Sequence, residues 1–442
     1  MTVAGRPAEP LSPRDQRLNF AFLVGDVTCF FIGMAFLDTS TVLPALVARL
    51  GGTPTALALI TAFRQAGYYL PQLIVAHRLQ GRSRYKPFLV KVCAFGRIWF
   101  FVAAMLLFLL GQRVPSVALV ALGAAYCLSW IGDGMGGVPW TAIVGKIVPA
   151  KRRGHLFATT QVLSGFARLG VGATVKGILS ERFVTFPASG ALLILGCGVF
   201  LFLSWIFLAL LREPAAEDLP SEADEPPLIA ADRDFFTYLR TLPRHFGARP
   251  DIARLAVAQV LISSLYAAAP FLLGHADHFT AGGLPEDIAG TFLVVQTIGA
   301  LVAAPILGRI TDRYGPRLSL LILFTLSLLC AAAAVLGAIL PISARMALFV
   351  FTTAFVILGA ADAWSTFTNY LLEAVPDPRE QTSFIALMNA ASAPVLLFPL
   401  VFGGMVHTDG AATAAFTIVL FLLAIGTLFG LSLPDTRKPQ NS

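Results

Sequence analysis

The sequence predicts an all-α membrane protein with twelve transmembrane helices, arranged in two six-helix bundles related by pseudo-two-fold symmetry. Three observations lead to this prediction: the composition, a regular succession of apolar segments, and a weak internal repeat about a polar linker. Of the 442 residues, 57% are hydrophobic and 13% are charged, whereas a soluble protein carries about 25% charged residues. The composition therefore excludes a soluble fold, a secreted disulfide scaffold, a disordered chain and a nucleic-acid binder.

Twelve apolar segments are each long enough to cross a bilayer, which requires about 20 mostly apolar residues. Short turns rich in glycine, proline and charge separate them, as at residues 50–54. The predicted spans begin near Leu18, Thr55, Pro87, Ser116, Leu156, Phe186, Asp251, Pro285, Leu318, Ala347, Phe384 and Ala411. The five cysteines fall within apolar segments and lack metal-ligand spacing, so we expect them to be core residues.

Lysine and arginine are distributed unevenly between the loops. With a cytoplasmic N-terminus, 23 of the 32 lie in cytoplasmic segments and five in outer loops. Such residues are retained on the cytoplasmic side of a membrane. We therefore expect an integral protein of a bacterial inner (plasma) membrane with both termini cytoplasmic. The net charge of +7 then reflects topology, and attraction to membrane lipids is a consequence of it.

The chain divides at a central polar stretch. We predict a cytoplasmic N-terminal tail (1–17), an N-terminal bundle (18–211), a cytoplasmic linker (212–250), a C-terminal bundle (251–433) and a cytoplasmic C-terminal tail (434–442). The linker begins acidic and proline-rich, as flexible linkers do. Residues 232–242 fit either a short amphipathic helix on the membrane face or a disordered connector.

The two halves resemble each other weakly. A Val-Pro pair recurs at a shift of 227 residues, and the same shift aligns Gly132 with Gly359 and Thr141 with Thr368. Repetition about a central linker is typical of secondary transporters, in which two bundles rock about a central site.

Residues 308–317, GRITDRYGPR, resemble the signature loop of the major facilitator superfamily, G-x-x-x-D-R-x-G-x-R. The matching residues are Gly308, Asp312, Arg313, Gly315 and Arg317. The resemblance implies the major facilitator fold for the whole chain and a secondary transporter of bacterial type, with no subfamily identified. It also implies a gating loop whose carboxylate braces a helix N-terminus, here the one that follows residues 376–378, because a carboxylate is favoured there.

The first-half copy of this loop, residues 77–86, departs from the family pattern. Gly81 stands in place of the carboxylate, while Arg82 and Arg84 keep the positive charge. We expect these arginines either to join the gate or to serve topology alone. The span-4 arginine and span-5 Gly-Pro motif of the family's proton-driven drug antiporters are both missing.

Ionisable residues inside the spans are the strongest functional signal, because a charge at the bilayer centre costs at least about 2.5–3.5 kcal/mol. Arg64, Arg97, Asp133, Arg168 and Asp362 lie close to the midpoints of their spans. The resemblance implies that spans 1, 2, 4, 5, 7, 8, 10 and 11 face a central cavity. We expect Arg64 and Arg168 to bind substrate and Arg97 to neutralise a carboxylate. For each, a purely structural ion pair is the alternative.

Four acidic residues are candidates for proton coupling: Asp133, Asp38, Asp26 and Asp362. Asp133 lies among glycines that permit close helix approach. We expect Arg168 to lie near it, and separation of the two would change the affinity of Asp133 for a proton. For Asp38, a local bond to a neighbouring backbone group or hydroxyl is an equally good interpretation.

The spans of the second half carry few charges, so the substrate-binding candidates there are neutral. They are Gln296, Tyr266, Trp364, Asn369 and Asn389. Positive charge in the first half and apolar, aromatic surface in the second favour an amphipathic organic anion as substrate.

No catalytic motif is present in the sequence. We find no phosphate-binding loop, nucleophile elbow or zinc motif, and we expect neither enzyme activity nor a cofactor. His275, Asp277 and His278 have a spacing that could bind a metal, but we expect an exposed loop with too few ligands.

The leading hypothesis is a proton-coupled secondary transporter that works as a monomer by alternating access. Its partners would be a small-molecule substrate, protons or another coupling ion, and membrane lipids. One alternative is an efflux pump for lipophilic drugs or lipids, and another is a non-transporting membrane sensor or assembly factor.

Overall fold

The computed structural model describes most of the chain. The described residues are 12–79, 84–148, 150–182, 184–214, 246–247, 249–280, 283–340, 343–361, 363–375, 384, 388, 391–405 and 411–437. The predicted linker helix lies outside them, as do Arg82, Asp362 and Asn389.

The described residues are helical, without a strand. The helices are α1 (Pro13–Phe36), α2 (Val42–Arg49), α3 (Pro54–Leu79), α4 (Lys86–Leu110), α5 (Pro115–Ile147), α6 (Ala150–Leu179), α7 (Ala188–Leu210), α8 (Pro250–Phe279), α9 (Ile288–Tyr314), α10 (Pro316–Ile339), α11 (Ala344–Ala360), α12 (Ala363–Ala374), α13 (Phe398–Met405) and α14 (Ala411–Leu431). A short 3₁₀ helix, Ala393–Leu397, precedes α13.

Within the described ranges, nine helices are long and apolar enough to cross a membrane. They are α1, α4, α5, α6, α7, α8, α9, α10 and α14. The other three predicted spans correspond to α3, to α11 with α12, and to the 3₁₀ helix with α13. The prediction of an all-α membrane fold is confirmed.

Proline and side-chain caps fix several helix starts. Pro13 opens α1, and the hydroxyl of Ser12 accepts a hydrogen bond from the backbone N–H of Asp15 at 3.1 Å. Pro250 and Pro316 open α8 and α10 in the same way. Proline suits the first turn because an N–H at that position has no partner within the helix.

The first span is interrupted between α1 and α2. There the Oδ1 atom of Asp38 accepts hydrogen bonds from the N–H of Ser40 at 3.0 Å and from the hydroxyls of Ser40 and Thr41 at 2.7 and 3.0 Å. Such local bonds replace those of the helix ladder. These are the bonds to a neighbouring backbone group and hydroxyls that we expect if Asp38 has a local structural role instead of carrying a proton.

The tenth span is interrupted between α11 and α12. The hydroxyl of Tyr266, on α8, donates a hydrogen bond to the carbonyl of Ala361 at this break. Because backbone groups within a membrane must find partners inside the protein, the contact stabilises the interruption.

The chain forms two compact units. Unit 1 comprises residues 1–37, 64–171 and 184–235, and unit 2 comprises residues 38–63, 172–183 and 236–442. Unit 2 therefore combines the helices of the second half with two segments of the first half. The bundle boundaries drawn from the sequence remain predictions.

The core of unit 1 is apolar and joins five helices, since Leu156 of α6 also belongs to it. Leu23 of α1, Leu89 of α4, Ile143 of α5 and Leu208 of α7 belong to one buried cluster. This core holds the helices together, and α1, α4 and α5 carry the charged residues Asp26, Arg97 and Asp133.

Candidate substrate and proton sites

Unit 1 contains a buried ion pair between α4 and α5. The Nη2 atom of Arg97 lies 3.8 Å from Oδ1 of Asp133, and the two side chains are 4% and 11% exposed. The Nη1 atom of Arg97 also donates to the carbonyl of Leu201, on α7, at 2.9 Å. Arg97 therefore lies against a carboxylate, as the sequence led us to expect.

Asp26 brings a second carboxylate to the same region. Its Oδ1 accepts a hydrogen bond from the hydroxyl of Ser204 at 2.5 Å, and its Oδ2 accepts one from the indole N–H of Trp140 at 3.0 Å. Asp26 is 4% exposed and interacts electrostatically with both Arg97 and Asp133. One guanidinium thus pairs with Asp133 and also interacts electrostatically with Asp26. We call Asp26, Arg97 and Asp133 the charged cluster.

Hydrogen bonding within the charged cluster is incomplete. Among the described residues, Oδ2 of Asp133 and Nε of Arg97 are buried without a hydrogen-bond partner. A buried polar atom without a partner costs about 1–3 kcal/mol. The free carboxylate oxygen of Asp133 is a place where a proton can bind without displacing another donor.

Two glycines fix the position of Asp133 on α5. A Cβ atom on Gly132 would lie 2.7 Å from the carbonyl oxygen of Val92, and one on Gly134 would lie 2.4 Å from that of Gly67. Only glycine permits the backbones of α4 and α3 to approach α5 this closely. The glycine-rich segment seen in the sequence therefore serves close packing on both sides of the carboxylate.

Arg64 lies on α3 in an aromatic environment. Its guanidinium carbon is 4.7 Å from the ring centroid of Trp130, a cation–π distance. The ring of Tyr68 contacts Trp130 and Tyr69 at centroid distances of 5.6 and 5.3 Å, and Gln72 hydrogen-bonds to Tyr68. In the described part of the chain, no carboxylate lies within ion-pair distance of Arg64, and its Nε has no hydrogen-bond partner. We call Arg64 and these aromatic side chains the arginine–aromatic site.

Gln296 lies beside the break in the first span. The hydroxyl of Ser40 lies 2.7 Å from Oδ1 of Asp38 and 3.0 Å from Oε1 of Gln296. Because a serine has one hydroxyl hydrogen, it donates to one of these two oxygens at a time. Asp38 and Gln296 are thereby brought together within unit 2.

The other binding candidates are not gathered into one site. Tyr266 directs its hydroxyl to the break in the tenth span. Arg168 is partly buried on α6, and Asn369 is exposed on α12. Trp364 belongs to α12, but its side chain lies outside the described residues, as do Asp362 and Asn389.

The signature loop connects α9 to α10 through Gly315, which has a φ of +90° that favours glycine. The carbonyl of Asp312 accepts a hydrogen bond from Nη1 of Arg437 at 2.7 Å, and Arg437 in turn binds both carboxylate oxygens of Glu373, at 2.9 and 3.1 Å. The hydrogen bonds to Glu373 raise the pKa of Arg437. Nη2 of Arg317 donates to the carbonyl of Leu431 at 2.9 Å.

These contacts tie the loop to α12 and to the end of α14. Gly308 and Arg313 are exposed, as is Arg84 in the first-half copy. The predicted partner of the loop carboxylate, the helix start after residues 376–378, and Arg82 lie outside the described residues.

Unit 1 contains a matching ion pair that sequence reasoning missed. The carboxylate of Glu213, 2% exposed, pairs with Nζ of Lys146 at 3.1 Å and accepts the backbone N–H groups of Tyr85 and Lys86. Lys146 and Glu373 are 227 residues apart, the spacing of the internal repeat. Each pairs with a residue just after the last helix of its half: Lys146 with Glu213, and Glu373 with Arg437. The basic and acidic partners have therefore exchanged places between the two halves. The repeat could have revealed this correspondence.

In the histidine cluster, Asp277 and His278 are exposed as expected, whereas His275 is buried. His275 is 1% exposed, and its Nε2 lies 3.0 Å from the carbonyl of Ala334, so Nε2 carries the hydrogen. Its ring packs against Phe351 and Phe416. Within the described residues no group of side chains has the arrangement of a metal site.

Comparison with known proteins agrees with this architecture. The family model of the Major Facilitator Superfamily matches residues 255–442. At the level of sequence alone, no curated protein matches the chain.

Solved structures share the fold over nearly the whole chain. A single-residue mutant of the nucleoside transporter NupG is 14% identical, with a TM-score of 0.66 over 95% of this chain and 100% of that one. A bacterial homologue of the iron transporter ferroportin is 13% identical, with a TM-score of 0.68 over 97% and 100%. A D-xylose–proton symporter is 14% identical, with a TM-score of 0.63 over 96% and 97%.

These matches confirm the resemblance to the major facilitator superfamily that the signature loop indicated. The match of the family model covers the second half, where that loop lies. The first half, whose copy of the loop is altered, shares the fold of the solved structures.

Proposed function

We propose that the chain is a secondary transporter that couples the movement of an amphipathic organic anion to protons by alternating access. The charged cluster is the proton site, and the arginine–aromatic site binds the anionic group of the substrate. The observation that carries this proposal is one buried arginine that pairs with Asp133 and also interacts electrostatically with Asp26.

The charge count of the cluster favours proton binding. With Asp26 and Asp133 both ionised and Arg97 charged, the cluster has a net charge of −1 in a buried environment. Uncompensated buried charge is costly, and one proton removes it. Asp26 already accepts two hydrogen bonds, whereas Oδ2 of Asp133 has none. Asp133 is therefore the better site for a proton that binds and leaves.

The arginine–aromatic site suits an anion with an apolar body. A guanidinium binds a carboxylate through two parallel hydrogen bonds, and Arg64 has no competing carboxylate partner among the described residues. Trp130, Tyr68 and Tyr69 supply aromatic surface beside it. An aromatic or alkyl carboxylate combines the two properties.

The two sites are close enough to influence each other. Trp130 and Asp133 are three residues apart on α5 and lie on the same side of the helix. Tyr68 interacts electrostatically with both Arg64 and Asp133. An anion bound at Arg64 would raise the free energy of an ionised Asp133 and so favour its protonation. Substrate and proton would then bind together.

The test is the thermal stability of the purified protein against two ligand panels, amphipathic organic anions and lipophilic cations. We expect stabilisation by anions, and its loss in Arg64→Ala. Arg113→Ala, which removes an exposed arginine at a loop, is the matched control and should keep the response. Stabilisation by cations that persists in Arg64→Ala would contradict the proposal and favour efflux of lipophilic compounds.

A further inference from the structure

A second positively charged site lies in unit 1, between the N-terminal ends of α1 and α6. Arg17 and Phe20 of α1 and Arg152 and His155 of α6 line a cavity of about 440 Å³. The rings of Phe20 and His155 stack, with centroids 5.6 Å apart and an interplanar angle of 17°. None of the residues assigned to the proton or anion site lines this cavity.

The cavity carries positive charge that no acid balances within the described part of the chain. The nearest acid along α1, Asp15, is already engaged, because it accepts the hydroxyl of Ser12 at 2.9 Å and pairs with Arg212. The first turn of α6 holds no acid, and residues 151 and 153 are also basic. Cations at a helix N-terminus are disfavoured by the helix dipole. A bound anion would therefore lower the free energy of this region.

An apolar surface continues from the cavity along α6. Val162 and Phe166 follow His155 by seven and eleven residues, a spacing that places them on the same face of the helix. Their exposed fractions are 52% and 65%. A ligand that fits both features has an anionic head and an apolar chain.

We propose that Arg17, Arg152 and His155 bind the phosphate group of an anionic phospholipid, with an acyl chain along Val162 and Phe166. Arginine binds phosphate through paired hydrogen bonds, and basic pockets between transmembrane helices bind lipid headgroups. The volume lies within the range of ligand pockets, about 300–1,000 Å³. Soluble phosphate esters share the headgroup chemistry but have no chain for the apolar face.

The test is lipid binding to the purified protein in detergent, measured by native mass spectrometry. The probes are phosphatidylglycerol, phosphatidylcholine and glycerol 1-phosphate. In Arg17→Gln/Arg152→Gln we expect the affinity for phosphatidylglycerol to fall by about 5-fold per arginine, or about 25-fold together. Arg309→Gln, an exposed arginine in unit 2, is the matched control and should leave the affinity unchanged. Val162→Ser/Phe166→Ser should lower the affinity for phosphatidylglycerol but leave the affinity for glycerol 1-phosphate unchanged.

The outcomes separate the two possible sources of the phosphate. If binding of phosphatidylglycerol depends on both the arginines and the apolar pair, the ligand is a phospholipid, as proposed. If glycerol 1-phosphate binds equally well, the proposal of a lipid is wrong and the ligand is a soluble phosphate ester. If phosphatidylcholine binds equally well, or the double arginine variant loses no affinity, the proposed site itself is wrong. Because all the substituted side chains are exposed, the melting temperature without lipid should not change and reports on folding. Arg64 is not altered, so failure here leaves the proposed function standing.

Discussion

Removal of Arg97 is the perturbation whose cost the structure predicts most directly. In Arg97→Gln, two buried carboxylates lose the cation with which they interact, and the carbonyl of Leu201 loses its donor. In Asp133→Asn, by contrast, Arg97 keeps Asp26 as a counter-ion. The two substitutions break the same ion pair, yet they leave different charges behind.

The magnitudes follow from the geometry. At 3.8 Å, unit charges interact by about 4 kcal/mol at an effective dielectric constant of 20. Loss of one partner from a buried pair costs about 3–5 kcal/mol when it leaves an uncompensated charge. We expect that loss in the unfolding free energy of Arg97→Gln. For Asp133→Asn we expect about 1 kcal/mol, because the remaining charges balance.

The assay is unfolding of the purified protein in one detergent, followed for each single variant and for Arg97→Gln/Asp133→Asn. The double variant retains only Asp26 with its two donors, and we expect it to be more stable than Arg97→Gln alone. Arg113→Gln is the control for the loss of any arginine. Equal destabilisation by both single substitutions, or a double variant no more stable than Arg97→Gln, would refute the reasoning.

Two further predictions concern packing and the ion pairs at the helix ends. Gly134→Ala places a Cβ 2.4 Å from the carbonyl oxygen of Gly67 and should cost about 1–3 kcal/mol. Gly137→Ala, whose nearest contact would be a side chain at 3.7 Å, should be tolerated, and equal melting temperatures for the two would contradict this account. Glu213→Ala removes the acceptor of two backbone N–H groups and the carboxylate that pairs with Lys146, and should cost about 3 kcal/mol or more. Lys146→Ala removes a lysine that is 28% exposed and should cost about 1 kcal/mol or less, so a larger loss than in Glu213→Ala would disprove the assignment.

Much of the fold could be predicted because its signals are local. Length and hydropathy define each span, and proline at a helix start marks its beginning, as at Pro250 and Pro316. The interruptions of the first and tenth spans could not be placed in the same way. They depend on the hydrogen bonds of Asp38 and on the distant hydroxyl of Tyr266.

The residues of the candidate sites could be predicted from the sequence, but the contacts between them could not. The cost of a buried charge singles out Arg64, Arg97 and Asp133 from the sequence. Which carboxylate meets which arginine depends on helix packing, and the sequence offered Arg168 for Asp133, where the structure gives Arg97 at 3.8 Å. The donors to Asp26, Ser204 and Trp140, are ordinary span residues with no sequence signal of their role.

The central claim is that Asp133 carries the coupled proton. The direct measurement is transport in proteoliposomes, with an anion that stabilises the protein, for the wild type and for Asp133→Asn. We expect the wild type to accumulate the anion when a pH gradient is imposed. Asp133→Asn should still exchange the anion across the membrane without a gradient but should no longer accumulate it. Accumulation by Asp133→Asn at the wild-type level would contradict the account.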